Sequence, residues 1–170
     1  MTASQTVSKK MSKFEVPFTK KFQSTDSDKL CMYKELKSFS PSDIQDLNAL
    51  MQGLSETSST TEDRVRNIIE STDSHLYVAI EDNHIIGCAS LCIAHTPEMK
   101  LGFIEAVSVN NDYRGKGIGK GLMDYLLSEA GKMSPIQLHL TSNPKRIAAN
   151  GLYKKLGFKL KETNCYIFEL

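Results

Sequence analysis

The chain has 170 residues, and its 21 Lys and Arg against 20 Asp and Glu leave a formal charge of +1. That excludes a protein held to nucleic acid mainly by a strongly basic face. Apolar residues at 40 % and charged residues at 24 % are those of an ordinary globular domain, and a chain of this length buries roughly 70 % of its unfolded surface, enough for a core without disulfide staples. The longest mostly apolar run, Ile85 to Ala94, is about half of a membrane span. Residues 1–30 hold no apolar stretch of the secretory kind. Cys31, Cys88, Cys92 and Cys165 form no CxxC pair, so they read as thiols in a reducing cytosol. The expectation is a cytoplasmic protein with neither a membrane nor a nucleic-acid partner.

Residues 1–31 carry six Lys against three acids, many Ser and Thr, and few large apolar side chains. They read as a flexible basic tail, and residues 32–170 as the folded domain. Met32 to Leu36 reads as a short strand. Ser42 and Asp43 precede Ile44, Leu47, Leu50, Met51 and Leu54, one face of a helix closing near Gly53. A second helix starts at Thr60 or Thr61 and buries Val65, Ile68 and Ile69. Leu76–Ile80, Ile85–Ala94 and Gly102–Val109 read as strands, the first two joined by a turn at Glu81, Asp82 and Asn83. Ile118, Leu122, Tyr125, Leu126 and Ala130 step at helical spacing. A strand at 136–140, a helix at 146–156 stopped by Gly157, and strands near 158–161 and 165–169 complete the chain. The order implies an α/β fold of the α+β type. Its sheet is mixed and mostly antiparallel, with about six or seven strands and helices on both faces.

The sharpest feature is Tyr113-Arg114-Gly115-Lys116-Gly117-Ile118-Gly119-Lys120, between a predicted strand and a predicted helix. Glycines there let the backbone approach a ligand, and N–H groups at a helix mouth attract an anion, most often phosphate. The spacing fails the Walker pattern. It also fails the dinucleotide fingerprint, because position 120 is Lys and the strand is the fourth. It fits Arg/Gln-x-x-Gly-x-Gly/Ala in full. Downstream, Ala148-Ala149-Asn150-Gly151-Leu152-Tyr153-Lys154-Lys155-Leu156-Gly157-Phe158 runs off a helix. Together the two segments resemble the GNAT superfamily of N-acetyltransferases, and the resemblance covers about residues 32–170.

The resemblance implies transfer of an acetyl group from acetyl-CoA, as cosubstrate, directly to an amine, with no metal. Its fourth and fifth strands, here 102–109 and 136–140, splay to admit CoA. Val107, Ser108 and Val109 match the strand that pairs with the pantetheine arm. Arg114, Gly115, Lys116, Gly117, Ile118, Gly119 and Lys120 match the pyrophosphate cradle. Tyr153 matches the tyrosine that protonates the departing thiolate, and Glu105 a catalytic glutamate. Flanking apolar residues are expected to desolvate Glu105, and simple alternation to put it on one face with Val107 and Val109. Many members carry Asn seven residues before the helix Tyr. Here that position is Arg146, flanked by Asn143 and Asn150, so the CoA contacts of that helix fall to these three. Lys145 is a further surface candidate, and Asn164 and Tyr166 candidates for the acceptor side. His139 reads as structural. The acids of 42–72 tilt the acceptor towards a cation. A rival reading keeps the fold as an acyl-CoA-binding module without turnover. The acceptor amine is left open, and a homodimer is compatible with the family.

Overall fold

The computed structural model describes residues 22–23, 30–133 and 136–170. They fall into two compact units, one running to His139 and the other Leu140–Leu170. The strands are β1 (Phe22–Gln23), β2 (Leu30–Glu35), β3 (Ser74–Glu81), β4 (His84–His95), β5 (Lys100–Val109) and β6 (Gln137–Leu140). The helices are α1 (Pro41–Gln52), α2 (Glu62–Glu70), α3 (Ile118–Lys132) and α4 (Ile147–Lys155), with a 3-10 turn at Asn111–Tyr113. The sheet order is β1-β2-β3-β4-β5-β6, and the pairings from β1 to β5 are antiparallel. The expected mixed α/β class is found.

Local chemistry sets the element ends. Ser40, two residues before the expected start, caps α1. Its N–H donates to the Asp43 carboxylate at 2.7 Å, and its hydroxyl accepts from the Asp43 N–H. Pro41 at the first helical position loses no bond that the helix needs. Thr61 caps α2. Asp82 and Asn83 both have positive φ, at 50° and 64°, which gives the tight β3–β4 hairpin a twist matching its strands. Strand β2 begins at Leu30 and pairs with β1 through Phe22↔Cys31 and Gln23↔Leu30, so strand structure reaches back into the segment expected to be tail. The remainder of that segment lies outside the described residues.

Helices cover both sheet faces. On one, α1 and α2 bury Leu47, Leu50 and Val65 against Leu76, Val78, Ile85 and Cys88. On the other, Ile118 of α3 packs on Cys31, Ala79 and Ile86, with Tyr33 and Val109 beside them. Each large aliphatic chain so buried contributes about 1.5–3 kcal/mol. Helix α3 approaches β2 so closely that a Cβ at Gly121 would overlap the Tyr33 phenol ring. Strand β6, four residues against ten in β5, meets it in its first half. Gly102 lies against Leu138 and Ile136, and the Phe103 and His139 rings are 5.6 Å apart. So short a strand leaves the second half of β5 free to part from it.

Strand β5 carries a bulge. Ser90 pairs with Glu105, but Cys88 pairs with Ser108, so Ala106 and Val107 together face the single residue Ala89. Ala106 takes φ +54°. The bulge overturns the expected alternation. Glu105 and Ser108 share the α1–α2 face, because their partners Ser90 and Cys88 are two apart. Val109, opposite Gly87, packs on the α3 side with Ile118. Two side chains hold the irregularity. The buried Cys88 thiol donates to the Ala106 carbonyl at 3.5 Å, and burial pushes its pKa up to about 12, so it stays a donor at neutral pH. The buried Ser108 hydroxyl donates to the Leu50 carbonyl at 2.9 Å, fastening the end of α1 to β5.

In the second unit, α4 ends as expected at Gly157, φ +94°. The Phe158 N–H reaches the Tyr153 carbonyl at 3.0 Å and the Gly157 N–H the Lys154 carbonyl at 3.1 Å, a Schellman stop. The two expected C-terminal strands, 158–161 and 165–169, are not formed. Leu160, Tyr166, Ile167 and Phe168 are exposed. Their alternating and β-prone side chains favour a strand only where a ladder supplies a surface to pack on.

Two substitutions test these constraints through denaturant midpoints. Gly121→Ala is expected to lower stability by about 1–3 kcal/mol through overpacking, despite the helix preference of Ala over Gly. Ala106→Val, a branched side chain at positive φ, is expected to cost about 2 kcal/mol or more, whereas Ala106→Gly stays within about 1 kcal/mol of the parent.

Candidate functional site

The first unit brings together the second half of β5 and the turn that follows it. The chain leaves Val109 through Asn110, whose side chain accepts from the Asp112 N–H at 3.0 Å and starts the 3-10 turn. Gly115 and Gly117 then take φ +78° and +82°, a left-handed backbone that other residues adopt only at a cost. Gly117 is the N-cap of α3, and no side chain caps the helix. The first helical bond runs from the Gly121 N–H to the Gly117 carbonyl at 3.0 Å. The N–H groups of Ile118, Gly119 and Lys120 therefore belong to the open first turn of a 15-residue helix with no acidic side chain at its start. This is the donor geometry and dipole sign that suit a phosphate.

The side chains of the turn do other work. Arg114 folds back, its Nε donating to the Val109 carbonyl at 3.1 Å. Lys116 lies 5.1 Å over the Tyr113 ring, and Lys120 pairs with Asp124 at 2.6 Å, one turn along α3. Ile118 is buried in the core, so only its backbone faces the helix mouth. A cavity of about 200 Å³ opens beside the turn, between Leu50 and Gly53 of the α1 end and Ser108, Val109, Asn110 and Arg114. Ser108, expected at a cofactor, spends its hydroxyl on Leu50.

Glu105 is exposed. The desolvation expected of it is not found, because its neighbours Ile104 and Ala106 do not close over it: Ile104 turns into the core of the opposite face. The acids of the acceptor-side helices are partly engaged in structure. Asp43 completes the cap of α1, and Asp46 accepts from the Ile85 N–H at 2.9 Å and contacts His84. They give less support to a cationic acceptor than their number implies.

In the second unit, Asn143 organises the entry to α4. Its side chain accepts from the Lys145 N–H at 2.9 Å, and its carbonyl accepts from the Arg146 N–H and the Asn150 amide. Asn150 also donates to the Arg146 carbonyl. The two asparagines expected at CoA thus bond to each other, and Arg146 is the helix N-cap. Tyr153 is buried and packs edge-on to Phe158 at 6.1 Å. Burial pushes its phenol pKa up, with the Arg146 guanidinium pulling weakly the other way. Asn164 donates to the Tyr166 hydroxyl at 3.2 Å on an exposed segment. All four cysteines are free thiols. Among the described residues no cluster of three or more His, Cys, Asp or Glu could hold a metal ion, and no helix is long and apolar enough to cross a membrane.

The sequence reading missed the bulge, the Ser108–Leu50 tie and the exposed Phe103. A Gly at 106 would have signalled the first; Ala there gives no such sign.

The family model for the acetyltransferase (GNAT) domain matches residues 72–160. Glucosamine 6-phosphate N-acetyltransferase 1 of Dictyostelium discoideum is 33 % identical over 102 residues, 52 % of this chain and 65 % of its own length. Human N-acetyltransferase 8B is 26 % identical over 99 residues, 57 % of this chain and 44 % of its own. The chain therefore spans less than two thirds of either relative. Among solved structures, a Trypanosoma brucei acetyltransferase superposes with a TM-score of 0.67 at 24 % identity, covering 82 % of this chain and 99 % of its own. An aminoglycoside N-acetyltransferase in complex with CoA gives 0.68 at 14 %, covering 85 % and 97 %. With a family model matched across the three long strands, the glycine turn and the last helix, the chain belongs to the GNAT acetyltransferase family.

Proposed function

We propose that the chain is an N-acetyltransferase that moves an acetyl group from acetyl-CoA directly to a primary amine. The observation that carries this is the run from bulged β5 into the left-handed Gly115 and Gly117 and the uncapped start of α3. A Cβ at Gly115 would have open space around it, so the glycine is there for its backbone angle. In this reading the Ile118, Gly119 and Lys120 N–H groups hold the pyrophosphate of CoA, and Val107 to Val109 the pantetheine arm. Residues 32–170, together with β1 and the start of β2, form the acetyltransferase domain, and the rest of 1–31 is its basic extension. Four free thiols fit a reducing, cytoplasmic setting.

Glu105 takes a proton from the substrate ammonium, directly or through water. The amine lone pair then attacks the thioester carbon, forming the C–N bond. The developing oxyanion is met by the Val107 N–H, at the bulge. Collapse breaks the C–S bond, Tyr153 gives its proton to the departing thiolate, and the second proton lost by the amide nitrogen returns through water to the phenolate. Burial disfavours the phenolate, so Tyr153 holds its proton at neutral pH.

The test is thiol release from acetyl-CoA over a panel of amines and peptides. Glu105→Gln is expected to lower kcat/KM by roughly 10²–10⁴ at pH 7, with recovery as pH rises and the amine loses its proton unaided. Tyr153→Phe is expected to lower kcat by roughly 10² or more with little change in the KM for acetyl-CoA. The Tyr153 pKa is raised, so the parent should keep its acid through the ordinary phenol value of about 10, and its alkaline limb should lie above that. Binding of acetyl-CoA without turnover on any amine would favour the binding-module reading instead.

A further inference from the structure

Resting on the acetyltransferase reading, we infer that the acceptor is a primary amine tethered by a short chain to an aromatic ring, with Phe103 and His139 as its platform. The α1–α2 face of the sheet is covered at one end and bare at the other. Along β4, Cys88 is fully buried under the helices, whereas Ser90 and Cys92 on the same face are only half-buried. Their partners on β5 are Glu105 and Phe103. Phe103 is 38 % exposed. It lies inside a ten-residue strand with neighbours on both sides.

His139 joins it from β6. Leu138 and Ile136 meet Gly102 on the opposite face, which leaves His139 on the Phe103 side, its ring centroid 5.6 Å away at 32°. The Gln137 side-chain oxygen contacts His139 Nε2 at 2.9 Å and steadies the imidazole. The platform is therefore two neighbouring rings tilted by 32° on adjacent strands, against which a third ring can pack.

The charge pattern selects among amines. Among the described residues Glu105 is the one carboxylate on this strip, two residues from Phe103 and about 6.6 Å along the strand. A ring on Phe103 and a one- or two-carbon tether bring a single ammonium to Glu105, the proposed base. A sugar phosphate would need a Lys or Arg here; Ser90, Cys92, Phe103 and Gln137 supply no charge, and the His139 Nε2 is engaged by Gln137. Lys100, the nearest lysine on β5, donates to the Met133 carbonyl. A polyamine would need several carboxylates in line, and the strip has one.

The experiment is steady-state thiol release from acetyl-CoA by the full chain with 2-phenylethylamine, glucosamine 6-phosphate and spermidine. 2-Phenylethylamine is expected to show a kcat/KM at least about tenfold above the other two. Phe103→Ala is expected to raise its KM about tenfold with kcat and the KM for acetyl-CoA little changed, as loss of one stacking surface predicts. Phe103→Leu, which keeps apolar volume should the Ala variant fold poorly, is expected to raise it severalfold. Preferred turnover of glucosamine 6-phosphate or spermidine, or an unchanged KM for 2-phenylethylamine in both variants, overturns the aromatic acceptor and leaves the acetyltransferase standing. Failure to bind acetyl-CoA, or to acetylate any of the three or any amine of the wider panel, overturns both.

Discussion

The extra residue in β5 is the constraint on which the rest of the site depends. A regular strand would present Glu105, Val107 and Val109 to one side. With Ala106 at positive φ, Glu105 and Ser108 fall on the α1–α2 face and Val109 on the α3 face. The left-handed residue costs roughly 1–2 kcal/mol, and the surroundings over-determine it. Cys88 supplies a donor to the freed Ala106 carbonyl, and Ser108 ties β5 to the last turn of α1. Neither bond exists in an unbulged register, so both stabilise the irregular form against the regular one.

The turn after β5 inherits its position from the same parity change. Val109 packs with Ile118, the first residue of α3, and Arg114 closes the loop by donating back to the Val109 carbonyl. The start of α3 is thus fixed from two sides: a buried apolar contact inside and a charged hydrogen bond outside. In the proposed reading the helix mouth holds a phosphate best if its N–H groups point outward without waiting for the ligand, and both anchors serve that preorganisation.

Much of this was legible in the residues. Helix ends carry their own chemistry, so Gly157 marked where α4 stops, and Thr60 or Thr61 where α2 starts, the cap being Thr61. The spacing of glycines around 115–119 announced a tight turn into a helix, and Gly115 and Gly117 are left-handed there. What local patterns conceal is tertiary. The bulge sits at an Ala, which advertises nothing. Asn143 and Asn150 looked like ligands for a cofactor until each was seen to serve the other. Asp43 and Asp46 look like an acidic surface, but Asp43 completes the cap of α1 and Asp46 ties that helix to the Ile85 N–H of β4. The segment after Gly157 has the alternation of a strand, yet alternation records only which residues would share a face if a ladder formed.

The two faces of the sheet therefore divide the proposed reaction. On the α3 side, apolar packing through Ile118 and Val109 serves the cofactor turn. On the α1–α2 side, cover ends between Cys88 and Ser90, and the floor beyond it carries Phe103 and Glu105 in the open. A single strand can serve both partners of a transfer only if its side chains change face partway along while its backbone stays continuous. One inserted residue does this with the least change to the ladder. The same insertion increases the local twist of a strand, and β6 has only four residues against the ten of β5. Access for a cofactor arm and placement of a base at the acceptor face are, on this account, consequences of one backbone irregularity, so selection for either would retain both.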